Sequence, residues 1–215
     1  MARRTKADSE LTRQQLLDAA EILFSRKGVS NTSLNEIAAA AGVTRGAIYW
    51  HFANKVELLD AMQARVALPL EEMELETQQQ PNPLAALRDY WIRAILRLME
   101  CDQSRRVVDI LLRKCEYVQD FECVSVRTQQ WQASIMRLMS SAFAEAERKN
   151  LLAEDLTPAM AAFSSYSMIT GLIYTWLSQP PAVDMHHQVT TVLHRHFASF
   201  CRAPAGLESP RRSDL

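Results

Sequence analysis

The run GVTRGAIYWHF, residues 42–52, gathers a hydroxyl, a guanidinium, a phenol, an indole and an imidazole, and Lys55 follows closely. These groups donate hydrogen bonds and carry positive charge, which suits recognition of an anion better than bond-breaking chemistry. Consecutive helical residues point about 100° apart, so Tyr49 and Trp50 cannot both enter one core. At least one of them faces outward. Arg45 can grip a guanine edge bidentately or a phosphate. Tyr49, His51 and Lys55 can hydrogen-bond phosphates, and a helix N-terminus attracts phosphate on its own account. Gly46 removes side-chain bulk at a helix-propensity cost of about 1 kcal/mol, which implies that the gap is wanted.

Such a short helix needs a scaffold, and the chain reads as helix after helix. Only five glycines occur among 215 residues, and apolar side chains recur at three and four. Leu16, Leu17, Ala20, Leu23 and Phe24 form one stripe, stopped by Gly28 as a C-cap. Ser33 and Glu36 form a capping box ahead of Leu34, Ile37, Ala38 and Ala41, and Gly42 ends that helix. Thr44 caps the next helix, which turns Ile48 inward. Asn54 with Glu57 opens a longer helix that Pro69 kinks or ends. Two short helices joined by a tight Gly-containing turn follow the helix-turn-helix plan, whose second helix enters the major groove.

Beyond QQQPNP, Asn82 and Pro83 start a helix through Trp91. Further helices are expected from Ser104 to about Lys114, from Asp120 to about Asn150, from Thr157-Pro158 to Ser178, and from Asp184 to near Cys201. Pro180-Pro181 interrupts the last pair. The tail APAGLESPRRSDL is polar and expected to be disordered. The boundaries expected are a head over 1–55 that holds the helix-turn-helix, a second helical domain over 56–202, and a tail over 203–215.

Bulk properties narrow the function classes. The net charge is −1, yet residues 1–55 hold eight Lys/Arg against five Asp/Glu, so a basic head sits on an acidic body. No apolar run approaches the roughly 18 residues of a membrane span, and no apolar stretch follows MARRTK as in a signal peptide. A cytoplasmic protein is expected. Cys101, Cys115, Cys123 and Cys201 lack CxxC spacing and read as buried hydrophobes in a reducing compartment. GxSxG, GxxxxGK, GxGxxG and HExxH are all absent, so no catalytic residue and no cofactor is expected. His187 and His194 stand seven residues apart, with no further ligand placed to complete a metal site.

The stretch TSLNEIAAAAGVTRGAIYWHFANKVELL resembles the helix-turn-helix of the TetR family of bacterial transcriptional regulators, in order, spacing and caps. RKCEY (113–117) and TGLIYTWL (170–177) resemble the AcrR type, repressors of multidrug efflux pumps. The resemblance implies an all-α dimer with a three-helix DNA-binding head and a larger helical domain for ligand binding and dimerisation. It implies DNA contacts by Thr32, Ser33, Thr44, Arg45, Gly46, Ala47, Tyr49, Trp50, His51 and Lys55. It also implies a cavity for a hydrophobic small-molecule inducer. Helical spacing offers Met62, Val66, Tyr90, Trp91, Ala94, Val108, Leu112, Ile135, Met139, Tyr166, Ile169, Thr170 and Ile173 as its lining. The same residues at the same spacing would serve equally as core.

Glu116 could meet a cationic ligand, although the region around Ala67 has no acid to do so. The last two helices would pair with a second copy in a four-helix bundle, and the dimer would bind a palindromic double-stranded operator. The competing readings are a TetR-type regulator of another pathway and, from a different class, a helical small-molecule carrier or enzyme.

Overall fold

The computed structural model describes residues 6–66, 70–115, 122–178 and 184–202, with the backbone alone over 122–128. Expectations placed on Ala67, Pro69, Glu116, Pro180-Pro181 and the tail 203–215 lie outside those residues, as does the side chain of Cys123. The described chain is helical: α1 Lys6–Lys27, α2 Leu34–Ala40, α3 Arg45–His51, α4 Lys55–Arg65, α5 Leu70–Gln79, α6 Pro83–Glu100, α7 Asp102–Asp109, α8 Glu122–Arg148, α9 Pro158–Ser178 and α10 Met185–Ala198. A π-helical turn, Ile110–Lys114, continues α7.

Most helix starts carry the cap that their sequence offers. Glu36 N–H donates to Ser33 Oγ while Ser33 N–H donates to Glu36 Oε2, a complete capping box. Ala47 N–H donates to Thr44 Oγ1 and Glu57 N–H to Asn54 Oδ1. Asn82, Thr157 and Asp184 cap α6, α9 and α10 in the same way. The start of α7 differs from expectation. It begins at Asp102 with Cys101 at the cap position, and Ser104 already lies in its first turn. A separate helix, α5, follows α4, whose last residue is Arg65.

The chain divides into two compact units. The first comprises Met1–Leu68 with Leu98–Trp131, the second Pro69–Arg97 with Gln132–Leu215. The first unit therefore runs past residue 55 and recruits a segment remote in sequence. Its core joins Leu16, Leu17, Phe24, Ile37, Ile48, Phe52, Leu58 and Met62 to Val107 and Ile110 from α7 and the π turn. An ion cluster around the buried Glu21 ties its helices together. Arg65 Nη1 of α4 reaches Glu21 Oε1 at 2.5 Å and Asp18 Oδ1 at 2.7 Å, while Gln103 Nε2 of α7 donates to the same Glu21 at 3.1 Å. Backbone joins in as well, because Val29 N–H donates to the Lys114 carbonyl of the π turn at 3.2 Å.

The second unit packs α10 through Met185, Val189, Leu193 and Phe197, spaced by four. Phe143 of α8 stacks on Phe197, ring centroids 6.2 Å apart, and Phe200 closes the cluster edge-on. α8 ends on Asn150 in the left-handed region (φ 57), a C-cap that lets Leu151 N–H reach Ala146 O. The cysteines depart from expectation. Among the described side chains Cys101 and Cys201 are exposed and Cys115 is partly buried, where burial pushes its thiol up to about 11.

Candidate nucleic-acid interface

α2, the turn and α3 form a rigid corner because each end is fixed locally. Lys27 Nζ donates to Glu36 Oε1 at 2.9 Å, which with the Ser33 bonds holds the Glu36 carboxyl down to about 2. Gly42 sits at φ +68 and lets Val43 N–H bond Ala38 O at 3.0 Å, folding α3 back toward α2. Ile48 and Phe52 then anchor α3 in the core, 0% and 2% exposed.

α3 leaves its polar and aromatic side chains outside. Trp50 is 74% exposed and Tyr49 46%, beside exposed Thr44, Arg45 and Gly46; Ala47 and His51 are half-buried. The Arg45 guanidinium lies 5.7 Å from the Tyr49 ring centroid, a cation–π contact that orients both. Trp50 meets His51 edge-on at 4.7 Å. Beyond its chain neighbours and its own helix backbone, no protein atom would lie within 4 Å of a Cβ at Gly46, so the bare patch opens to the surroundings.

Beside α3 lies an open cleft of about 520 Å³ lined by Ser30–Glu36, Tyr49 and Ala53–Lys55. It brings Thr32, Ser33, Tyr49 and Lys55 together, and the amino ends of α2 and α4 meet at it. Two of these side chains also have structural work. Thr32 is 1% exposed and its hydroxyl donates to Gly28 O. Lys55 Nζ donates to Val29 O at 2.9 Å and Ser30 O at 3.3 Å, fastening the start of α4 to the α1–α2 loop. Ser30, Asn31, Asn35 and Asn54 also line this cleft, although sequence reasoning did not select them. The polar run around the Ser33 cap was the available signal.

The proposed inducer set is divided between the units. Met62 is buried in the first unit's core, with Val66 packed against it; Val108 is half-buried and Leu112 is 37% exposed. In the second unit Tyr90, Trp91, Ala94, Ile135, Met139 and Ile169 are buried, while Tyr166, Thr170 and Ile173 are half-buried. Burial, helped by Glu72 and Glu76, pushes Tyr90 up to about 12, and burial also raises Tyr166. His186, His187 and His194 are exposed. His196 Nε2 lies 3.2 Å from Ser165 Oγ, and burial lowers its pKa. No metal-binding group of three or more His, Cys, Asp or Glu occurs among the described residues. No helix among them is long and apolar enough to cross a membrane.

Comparison with known proteins agrees with this geometry. Residues 16–62 match the model for bacterial regulatory proteins of the tetR family, and residues 82–200 match the C-terminal region of MAATS-type transcriptional repressors. The HTH-type transcriptional regulator TtgR of Pseudomonas putida is 35% identical over 86% of this chain and 89% of its own length. NalD of Pseudomonas aeruginosa, the secondary repressor of the MexAB-OprM multidrug efflux pump, superposes with a TM-score of 0.85 at 36% identity, covering 92% of this chain and 99% of NalD. SmeT, the Stenotrophomonas maltophilia repressor of the SmeDEF multidrug efflux pump, solved with triclosan, gives 0.79 at 30% identity over 94% of this chain and 100% of SmeT. These relatives are transcriptional regulators, not enzymes. With its amino-terminal corner and its carboxy-terminal region both matched, the chain belongs to the TetR family of bacterial transcriptional regulators.

Proposed function

We propose that this chain represses a multidrug efflux operon from a palindromic operator and leaves it when a hydrophobic small molecule binds. The observation that carries the reading is α3. Its inward Ile48 and the Phe52 that caps it are packed in the core, while Arg45, Tyr49 and Trp50 stand outside with a side-chain gap at Gly46. Arg45 reads a base edge, while Tyr49, Lys55, Ser33 and the remaining polar residues of α3 and the cleft position phosphates. The efflux target is supported by the functions named for NalD and SmeT, and the hydrophobic inducer by the triclosan bound to SmeT.

One short helix reads too few bases for useful specificity, so the working form is a cytoplasmic homodimer with its recognition helices in successive major grooves. α9 supports the partner face. Its 21 residues contain no charge, and Met160, Phe163, Met168 and Tyr174 are exposed along it between small residues. α9 and α10 of two copies would bury that stripe in a four-helix bundle. Residues 1–55 then act as the head, 56–202 as the ligand-binding and dimerisation part, and 203–215 as a tail.

α4 is suited to transmit a push because it is fastened at both ends within the first unit, by Lys55 to the α1–α2 loop and by Arg65 to α1. It moves with the corner it supports. A tenfold loss of operator affinity needs about 1.4 kcal/mol of coupling, and reciprocity makes operator weaken ligand by the same factor. The test is fluorescence anisotropy on the DNA upstream of the chain's own gene, with and without a panel of drugs and dyes that includes triclosan. Salt-dependent, site-specific binding released by panel members is the expected result. Binding that no panel member alters would overturn the sensor reading, and equal affinity for scrambled DNA would overturn the operator reading.

A further inference from the structure

One buried polar group has no role in the reading above, the indole N–H of Trp91. Trp91 is 2% exposed, and its Nε1 has no hydrogen-bond partner among the described residues. α6 carries it on a buried face with Leu84, Leu87 and Ile95, whose side chains offer no acceptor. Tyr90 packs edge-to-face beside it, ring centroids 5.5 Å apart. An indole nitrogen only donates, so the acceptor has to come to it. Buried tryptophans normally find such a partner, because an N–H stripped of water and left alone is unfavourable. A lone buried water is a poor substitute, since it needs at least one further polar partner and the side chains of Leu84, Leu87 and Ile95 supply none.

We propose that Trp91 Nε1 is the hydrogen-bond donor that selects ligands of the second unit, favouring flat apolar molecules that carry an accessible acceptor oxygen such as a carbonyl. This rests on the reading above that the chain senses hydrophobic small molecules. A ligand with the oxygen completes a bond that none of the described residues makes. A ligand of the same shape without it leaves the N–H unpaired, and discrimination is strongest where a buried polar group is otherwise orphaned. Apolar surface then supplies affinity, and one directional bond supplies preference.

The probes are 9-fluorenone and fluorene, which share a tricyclic frame and differ by the carbonyl oxygen. Their affinities are measured by calorimetry on the full chain, on Trp91→Phe, and on a chain carrying benzothienylalanine at position 91, a near-isostere with sulfur in place of the N–H. The expected result is that fluorenone binds the natural chain about tenfold more tightly than fluorene and that both replacements abolish this preference. In parallel, 15N-labelled chain shows four indole resonances, one per tryptophan, and the one missing from Trp91→Phe should move on adding fluorenone. A preference that survives the isostere overturns the proposal. So does a Trp91 indole that exchanges magnetisation with a bound water and stays unmoved by fluorenone. If neither probe binds, the tightest member of the drug panel replaces them, and unchanged affinity for the isostere chain again overturns the proposal. A panel from which nothing binds overturns the sensor reading itself, a result distinct from a panel that binds without regard to Trp91.

Discussion

Gly46→Ala and Gly42→Ala, four residues apart, should move stability in opposite directions, which makes them a controlled test of the interface. Beyond chain neighbours and local helix backbone, a Cβ at either position meets no protein atom within 4 Å, so neither variant creates a clash inside the chain. Gly42 sits at φ +68, in the left-handed region where an alanine costs about 1–2 kcal/mol, so its melting temperature should fall by roughly 2–8 °C for a chain of this size. Gly46 lies inside α3 at ordinary helical geometry. There alanine should stabilise by up to about 1 kcal/mol, raising the melting temperature by roughly 2–4 °C. DNA binding should move against stability. If the bare patch at Gly46 lies against the duplex, the added methyl forces α3 away, and a loss of about 1.4 kcal/mol is already tenfold in affinity. Thermal unfolding followed by circular dichroism gives the first number, and anisotropy on the upstream DNA gives the second. A more stable Gly46→Ala chain with unchanged operator affinity would refute the assignment of this face to DNA. A less stable one would refute the packing argument.

Removing Arg65 alone leaves the Glu21 carboxylate, whose side chain is 2% exposed, with the Gln103 amide but without its countercharge, so Arg65→Ala should cost about 3 kcal/mol in urea unfolding. The double change Arg65→Met, Glu21→Leu should recover most of that, and simply additive losses would count against a buried pair. Glu36 should make the chain acid-sensitive over an unusually low range. Its folded value, near 2 through the Lys27 bond, lies below the ordinary 4.5, so its stabilisation is complete above about pH 4.5 and lost as pH falls through 2. Glu36→Gln should flatten the stability profile across that window, and an unchanged slope in chemical-denaturation titrations would contradict it. On DNA, Arg45→Ala should lose about 1–3 kcal/mol on operator and little on scrambled sequence. Lys55→Ala should weaken both alike and also lower the melting temperature, because Nζ holds two loop carbonyls. Equal losses for Arg45→Ala on the two DNAs would mean that its contact is to phosphate.

Local chemistry was legible in the sequence wherever a side chain bonds a backbone amide a few residues away. Ser33, Thr44, Asn54, Asn82, Thr157 and Asp184 each announce a helix start, and each caps one. Helical geometry required that Tyr49 or Trp50 face outward; that both do, with Phe52 inward, was implied by the family resemblance. Cys101 offers no such signal, which is why the start of α7 was misplaced by two residues. The π turn leaves no mark in residue types. Long-range work was equally invisible: neither the grip of Lys55 on Val29 and Ser30 nor the sharing of Glu21 between Arg65 and Gln103 follows from any short spacing. The ligand lining is the hardest case, because buried apolar residues at helical spacing read the same whether they pack against each other or against a guest.

The participation of Val107, Ile110 and the Lys114 carbonyl in the first unit bears on how far such a regulator is modular. A transplanted N-terminal segment cut at residue 66 would carry its reading helix intact but arrive without the side chains that close its core and the acceptor for Val29. Its recipient would have to supply a matching stretch from the middle of its own chain. Successful exchange of specificity between relatives should therefore track the fit of that middle segment, and altering α3 alone is the safer way to retarget the protein.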